Sequence, residues 1–106
     1  MPKYLFEAGY TSEGLHGLAK DSAAGRKAAV QRAVKAAGGK LEAFYFSFGD
    51  NDVILIAELP DNTAAAAMAL AVGATGLVQM RTTVLLSVEE VDKALKAKSS
   101  YRAPGA

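Results

Sequence analysis

The sequence predicts an α+β domain, a four-stranded antiparallel sheet with helices on one face in split βαβ order. Three observations predict it. Four segments are rich in aromatic and β-branched residues, helix-period segments fall between them, and turn or capping residues stand at the junctions. The order reads strand, helix, strand, strand, helix, strand, helix. A chain of 106 residues holds one core, so residues 1–98 form a single domain. Residues 99–106, with Pro104 and Gly105, read as a flexible tail.

Lys3 to Tyr10 is the first strand and ends at the capping pair Thr11-Ser12. Leu15, Leu18 and Ala19 form the apolar face of a short helix that Gly14 and Gly17 weaken. Ser22 opens a stronger helix, in which Val30, Ala33, Val34 and Ala37 recur at helical spacing. Gly38-Gly39 stops it. Lys40 to Phe48 and Asp52 to Leu59 are strands joined as a hairpin through Gly49-Asp50-Asn51. Pro60-Asp61-Asn62-Thr63 ends the strand and caps a helix over Ala64 to Ala74. Leu77 to Leu86 is the fourth strand. Ser87-Val88-Glu89-Glu90 is a capping box that opens a last helix to about Lys98. This arrangement is ferredoxin-like. The halves share no visible repeat.

Composition excludes several functions. Lys plus Arg number 12 against 11 Asp plus Glu, so the chain lacks the charge of a dedicated nucleic-acid or membrane-surface binder. Without cysteine there are no disulfides, thiolate nucleophiles or Cys-ligated metals, and the single histidine, His16, builds no multi-histidine site. No metal is expected. No targeting segment is evident, and the uncharged run Ala64 to Val72 falls far short of the ~20 residues that cross a bilayer. A cytoplasmic protein that contacts no membrane is expected. RNA-recognition domains share this topology, but they stack bases on aromatics of the central strands. Asp52 to Leu59 has no aromatic residue and its charges are acidic, so no nucleic-acid partner is expected.

The strands are apolar on both sides. Val53, Leu55, Ala57 and Leu59 alternate with Ile54 and Ile56, while Leu41, Ala43 and Tyr45 alternate with Phe44, Phe46 and Phe48. A sheet of that kind needs a second cover. The helix from Ala64 to Ala74 carries no charge and has seven alanines, so it too looks built for burial on every side. A homodimer or higher homo-oligomer in which two sheets face each other follows. Charge is uneven as well: six basic residues and only Asp21 lie between Lys20 and Lys40. Leu41 to Met80 has five acids and no base, and the reading favoured is a solvated basic helix beside acidic strand ends.

The segment Lys3-Tyr4-Leu5-Phe6-Glu7-Ala8-Gly9-Tyr10-Thr11-Ser12-Glu13-Gly14 resembles the opening of the GYD-domain proteins. So do Gly38 to Phe46, Phe48-Gly49, Asp52-Val53, Leu59-Pro60-Asp61-Asn62 and Thr82 to Leu86, and the resemblance covers roughly residues 3 to 92. One departure stands out, because the Gly-x-Tyr-Asp segment reads Gly49-Asp50-Asn51-Asp52, with Asn51 at the tyrosine position. The resemblance implies a ferredoxin-like fold of the dimeric α/β-barrel type. It supplies no reaction, and borrowing one from related folds is analogy.

Candidate chemistry is sparse. His16 is the chain's one imidazole, the side-chain type most used for proton transfer, which makes it the natural general base or, in a haem alternative, the iron ligand; otherwise no cofactor is expected. Glu7 and Arg81 interrupt apolar strands that lie side by side, so they either bind a polar ligand or satisfy each other. Tyr4, Tyr10 and Tyr45 suit a small phenolic or quinone-like ligand, although core packing is the favoured job for at least two of them. Glu89 and Glu90 are explained by the capping box. Gly38-Gly39, Gly73 and Gly76 terminate helices and do not form a phosphate loop. Three functions remain open. One is an oligomer binding a small apolar or aromatic metabolite, with its site lined by the sheet and the first helix. The others are a cofactor-independent monooxygenase or isomerase, using His16 or a tyrosine, and a ligand-free scaffolding oligomer.

Overall fold

The computed structural model describes residues 1–106. In chain order the elements are β1 (Lys3–Tyr10), α1 (Ser12–Lys20), α2 (Ala23–Ala36), β2 (Lys40–Phe46), β3 (Val53–Glu58), α3 (Asn62–Gly73), β4 (Val78–Leu85) and α4 (Val88–Lys96). The sheet is antiparallel with strand order β2-β3-β1-β4, the ferredoxin-like arrangement that the sequence predicts. β1 and β3 are therefore central. α2 and α3 carry the chain between strands and cover the same face.

Each helix begins where a short polar side chain replaces the missing backbone partner. Thr11, Ser22, Asp61 and Ser87 accept from the N–H of Gly14, Gly25, Ala64 and Glu90 respectively. α2 closes with two bonds, Gly39 N–H to the Val34 carbonyl (2.9 Å) and Gly38 N–H to the Lys35 carbonyl (3.0 Å). Gly38 accommodates the turn at φ 86°, where a side chain would be strained. Gly39 is held by space instead. A Cβ there would run into the Glu58 carbonyl oxygen and lie 2.7 Å from Leu59 Cδ2. Gly39→Ala is accordingly expected to cost more than the ~1 kcal/mol of an average substitution, read as a lowered thermal midpoint.

The core lies between the sheet and the two covering helices. It comprises Tyr4, Phe6 and Ala8 of β1, Val53, Leu55 and Ala57 of β3 with Leu59 just past its end, Val34 of α2 and Ala65 of α3. Strand alternation explains most of that set. β2 departs from it. Register slips between Leu41 and Ala43, so Leu41 packs against the core with Phe44 and Phe46, whereas Ala43 and Tyr45 sit on the other face beside Ile56 and Ile54. Simple alternation puts Leu41 with Ala43 and Tyr45. The bulge corrects this, because it lets two residues oppose one. β2 also ends at Phe46 rather than Phe48, because Phe48 adopts φ 53°, a left-handed conformation that cannot continue a strand. Its ring stacks on Phe46 at 5.8 Å.

The uncovered face has an apolar centre of Leu5, Ile54, Ile56 and Ala43, with Tyr45 beside them at 69% exposure. At one end Lys3, Glu42 and Glu58 surround it, and at the other Glu7, Gln79 and Arg81. The Lys3–Glu42 ion pair is 2.9 Å long, and that carboxylate holds the Lys3 ammonium above its ordinary range. α3 is covered only on its sheet side. Ala66, Ala67, Leu70 and Ala71 are exposed within one chain, in contrast to burial on every side.

α4 packs on nothing. Every residue of it is exposed, including Val88, Val91 and Leu95 on one stripe. Its first turn is nevertheless well made, with Ser87 N–H donating to Glu90 Oε1 at 3.0 Å and Glu90 N–H to Ser87 Oγ at 3.1 Å. Those bonds hold the Glu90 carboxyl below its usual range, the Ser87 backbone first and its hydroxyl second. A lowered carboxyl pKa stabilises the fold above the ordinary range and is lost as pH falls through it. Acidification below about pH 4 is therefore expected to fray the first turn of α4 while the sheet persists, read from amide exchange at Ser87 and Glu90. No helix is long and apolar enough to cross a membrane.

Candidate functional site

The helix layer leaves a gap over the sheet. α2 crosses one side, the small-residue helix α3 crosses the other, and between them lies an apolar cavity of about 70 Å3. Val53 and Leu55 form its floor, Val30 and Ala33 face Met68 and Val72 across it, and Tyr10 lies toward its end. Eleven of its twelve lining residues are hydrophobic, and the twelfth is Arg26. Beyond Tyr10 a second hollow of about 250 Å3 opens toward α1, lined also by Gly14, Leu18, Asp21 and Leu77. The two share Tyr10, Arg26, Val72 and Val78. The shared residues make the wider hollow the approach to the apolar cavity.

The architecture holds this cleft open. Thr11 N–H donates to the Leu77 carbonyl at 2.9 Å and its hydroxyl to the Gly76 carbonyl at 3.1 Å, which fixes α1 against the start of β4. Gly14 allows that approach, because a Cβ there would collide with the Leu77 carbonyl oxygen. Tyr10 is secured through its backbone, its N–H donating to Asp52 Oδ2 at 2.7 Å. The alanines of α3 bring its backbone near the sheet yet leave unfilled volume that larger side chains would occupy.

The six residues singled out in the sequence do not converge. Tyr10 alone lines the cleft. Tyr4 is fully buried, and its hydroxyl donates to Asn62 Oδ1 at 2.7 Å, tying β1 to the start of α3. Tyr45 lies exposed on the uncovered sheet face. His16 stands exposed on α1 and lines neither hollow of the cleft. Glu7 and Arg81 are directly opposed in register, yet they form no ion pair within 4.0 Å. Glu7 is engaged elsewhere. Its Oε2 accepts from Asn51 Nδ2 at 2.9 Å, so Asn51 latches the β2–β3 loop to the sheet. Around that contact Gly9, Asp50, Gln79, Met80 and Arg81 complete a polar hollow of about 250 Å3. No group of three or more His, Asp or Glu side chains is placed to hold a metal ion.

Sequence reasoning missed Arg26, Val30, Met68 and Val72. The apolar three are indistinguishable in sequence from core residues, and Arg26 belongs to a basic stretch that reads as solvated surface. The helical period places Arg26 and Val30 four residues apart on one face, which was the available signal.

No curated protein and no solved structure matches the chain. The model of the GYD domain matches residues 4–95, from β1 through nearly all of α4 and so across every element that shapes the cleft. With that span of its 106 residues accounted for, the chain belongs to the GYD domain family.

Proposed function

We propose that the protein is a cytoplasmic homo-oligomer that binds a small apolar or aromatic metabolite in the cleft between α2, α3 and the sheet. The apolar cavity beneath two otherwise well-capped helices carries this reading. A void of that kind loses packing contacts that a better-filled core would keep, and a ligand restores them. Among tyrosines only Tyr10 borders it, so a ligand meets one aromatic ring with a polar tip. A thermal-shift panel of small aromatic and aliphatic metabolites tests the idea. A ligand at a hundred times its Kd adds about 2.7 kcal/mol, several degrees in a domain of this size. Absence of any shift at saturation overturns the proposal. Ala33→Leu, which fills the cavity, is expected to abolish the shift while the protein stays folded.

The oligomer is argued from the uncovered sheet face and the bare α4. Four strands about 4.8 Å apart and seven residues of about 3.3 Å give a face of roughly 450 Å2. A stable interface needs roughly 800 Å2 from each partner. The Val88, Val91 and Leu95 stripe of α4 offers the remaining apolar surface to a second copy. The apolar centre with charged ends suits an interface core and rim.

A cofactor-independent enzyme is the second reading. The observation favouring it is the position of Tyr10 in the cleft, where its hydroxyl is the one phenolic acid able to meet a bound molecule. Tyr10→Phe then removes turnover and leaves binding, whereas under the binding reading it changes little.

A further inference from the structure

We infer that the cleft selects a small carboxylate, with Arg26 holding the acid group and the cavity holding an aliphatic or aromatic body. The inference rests on the binding reading above and names its ligand class. Arg26 lies in the first turn of α2, is half-buried, and borders both the cavity and the wider hollow. It is the sole charged residue of the cavity. Its guanidinium makes no ion pair, for the chain's ion pair is Lys3 with Glu42, and its side chain donates no hydrogen bond within the protein. Asp21, the one carboxylate lining the wider hollow, does not come within 4.0 Å of it.

Partial burial of an unpaired cation beside apolar walls is unfavourable unless something compensates it. A carboxylate does so well, because the planar fork of arginine matches its two oxygens. The surroundings act in the same direction. Lys27 follows Arg26 on α2 and α3 on the far wall bears no charge at all, so Asp21 of the wider hollow is the one acid lining the two hollows. Apart from Arg26, the Tyr10 hydroxyl is the one polar side-chain group on the cavity lining, and the walls are otherwise apolar, which sets the orientation: acid at Arg26, apolar body inward.

Matched acids and alcohols give the test. Benzoate, benzyl alcohol, hexanoate and hexanol are titrated into the intact protein and into Arg26→Gln, with affinity from calorimetry and location from amide shifts near Val30, Ala33, Met68 and Val72. Inorganic phosphate serves as a control for charge alone. The expected result is that an acid binds at least about tenfold tighter than its alcohol, the worth of one charge-assisted bond. In Arg26→Gln that preference falls to near unity, with the acid losing far more affinity than the alcohol, and Arg26→Lys retains part of it. Acids and alcohols binding equally well, with Arg26→Gln indistinguishable from the parent, overturns the carboxylate selectivity and leaves the apolar site standing. Phosphate competing as strongly as the acids overturns it too, by showing a site for charge alone. No binding by any of the four organic probes overturns both the inference and the reading it rests on.

Discussion

Phe6→Ala is expected to remove about 3–5 kcal/mol of folding stability, the largest single loss the structure points to. Phe6 is fully buried at the middle of β1, in register with Leu55 of β3 and Thr82 of β4. Its ring centroid lies 6.3 Å from that of Tyr4. A residue so placed binds the central strands to the helix layer, and nothing beside it can collapse into the space, because β1 is fixed by pairing on both sides. Native domains have only about 5–15 kcal/mol in total, so the variant is expected to be partly unfolded near physiological temperature. Urea denaturation checks it, through a lower midpoint at unchanged slope. Thr83→Ala on the opposite face serves as the control and is expected to stay within about 0.5 kcal/mol.

Ile56→Lys is the second large effect, and it falls on assembly rather than on the fold. Ile56 sits at the centre of the uncovered face, between Leu5 of β1 and Ala43 of β2. In one chain a lysine there extends into water and costs little. Against a second sheet it is a buried cation without a partner, which is strongly unfavourable. The variant is therefore expected to run as a folded monomer in sedimentation velocity at concentrations where the parent associates. Truncation after Ser87 is expected to weaken association without abolishing folding, since α4 contributes nothing to the core of its own chain. A parent protein that is monomeric at all concentrations contradicts the assembly part of the account.

Most of the fold is legible in the sequence because its boundaries are marked by local chemistry. Thr11, Ser22, Asp61 and Ser87 each cap a helix through their own side chains, while Gly38 turns the chain at a positive φ and Gly39 leaves room for the Glu58 carbonyl. Such signals act within a few residues, so a sequence shows them. The β2 bulge is less visible. Leu41 and Ala43 are both apolar, so nothing in the pattern reveals that the register changes between them. Phe48 misleads for a similar reason, since an aromatic residue extends the strand pattern on paper while its backbone leaves the strand.

The cleft was nearly invisible in the sequence, for a physical reason. Its walls come from β1, α2, β2, β3, α3 and β4, and what distinguishes it is the volume that those side chains fail to fill. An unfilled volume has no sequence motif. Residues chosen for their chemistry were instead drawn to strands, where Tyr4 bonds to Asn62 and Glu7 bonds to Asn51. His16 is conspicuous in composition, yet it faces solvent on α1. Arg26 is inconspicuous, one base among several, and only its position at the mouth of the cavity sets it apart.

The most direct test of the central claim is a native mass spectrum of the untagged protein, recorded alone and then with saturating benzoate. The account predicts a multiple of the 11.0 kDa chain that takes up one benzoate per chain, with uptake lost in Ala33→Leu. A single-chain mass, or an oligomer that takes up no benzoate, contradicts it.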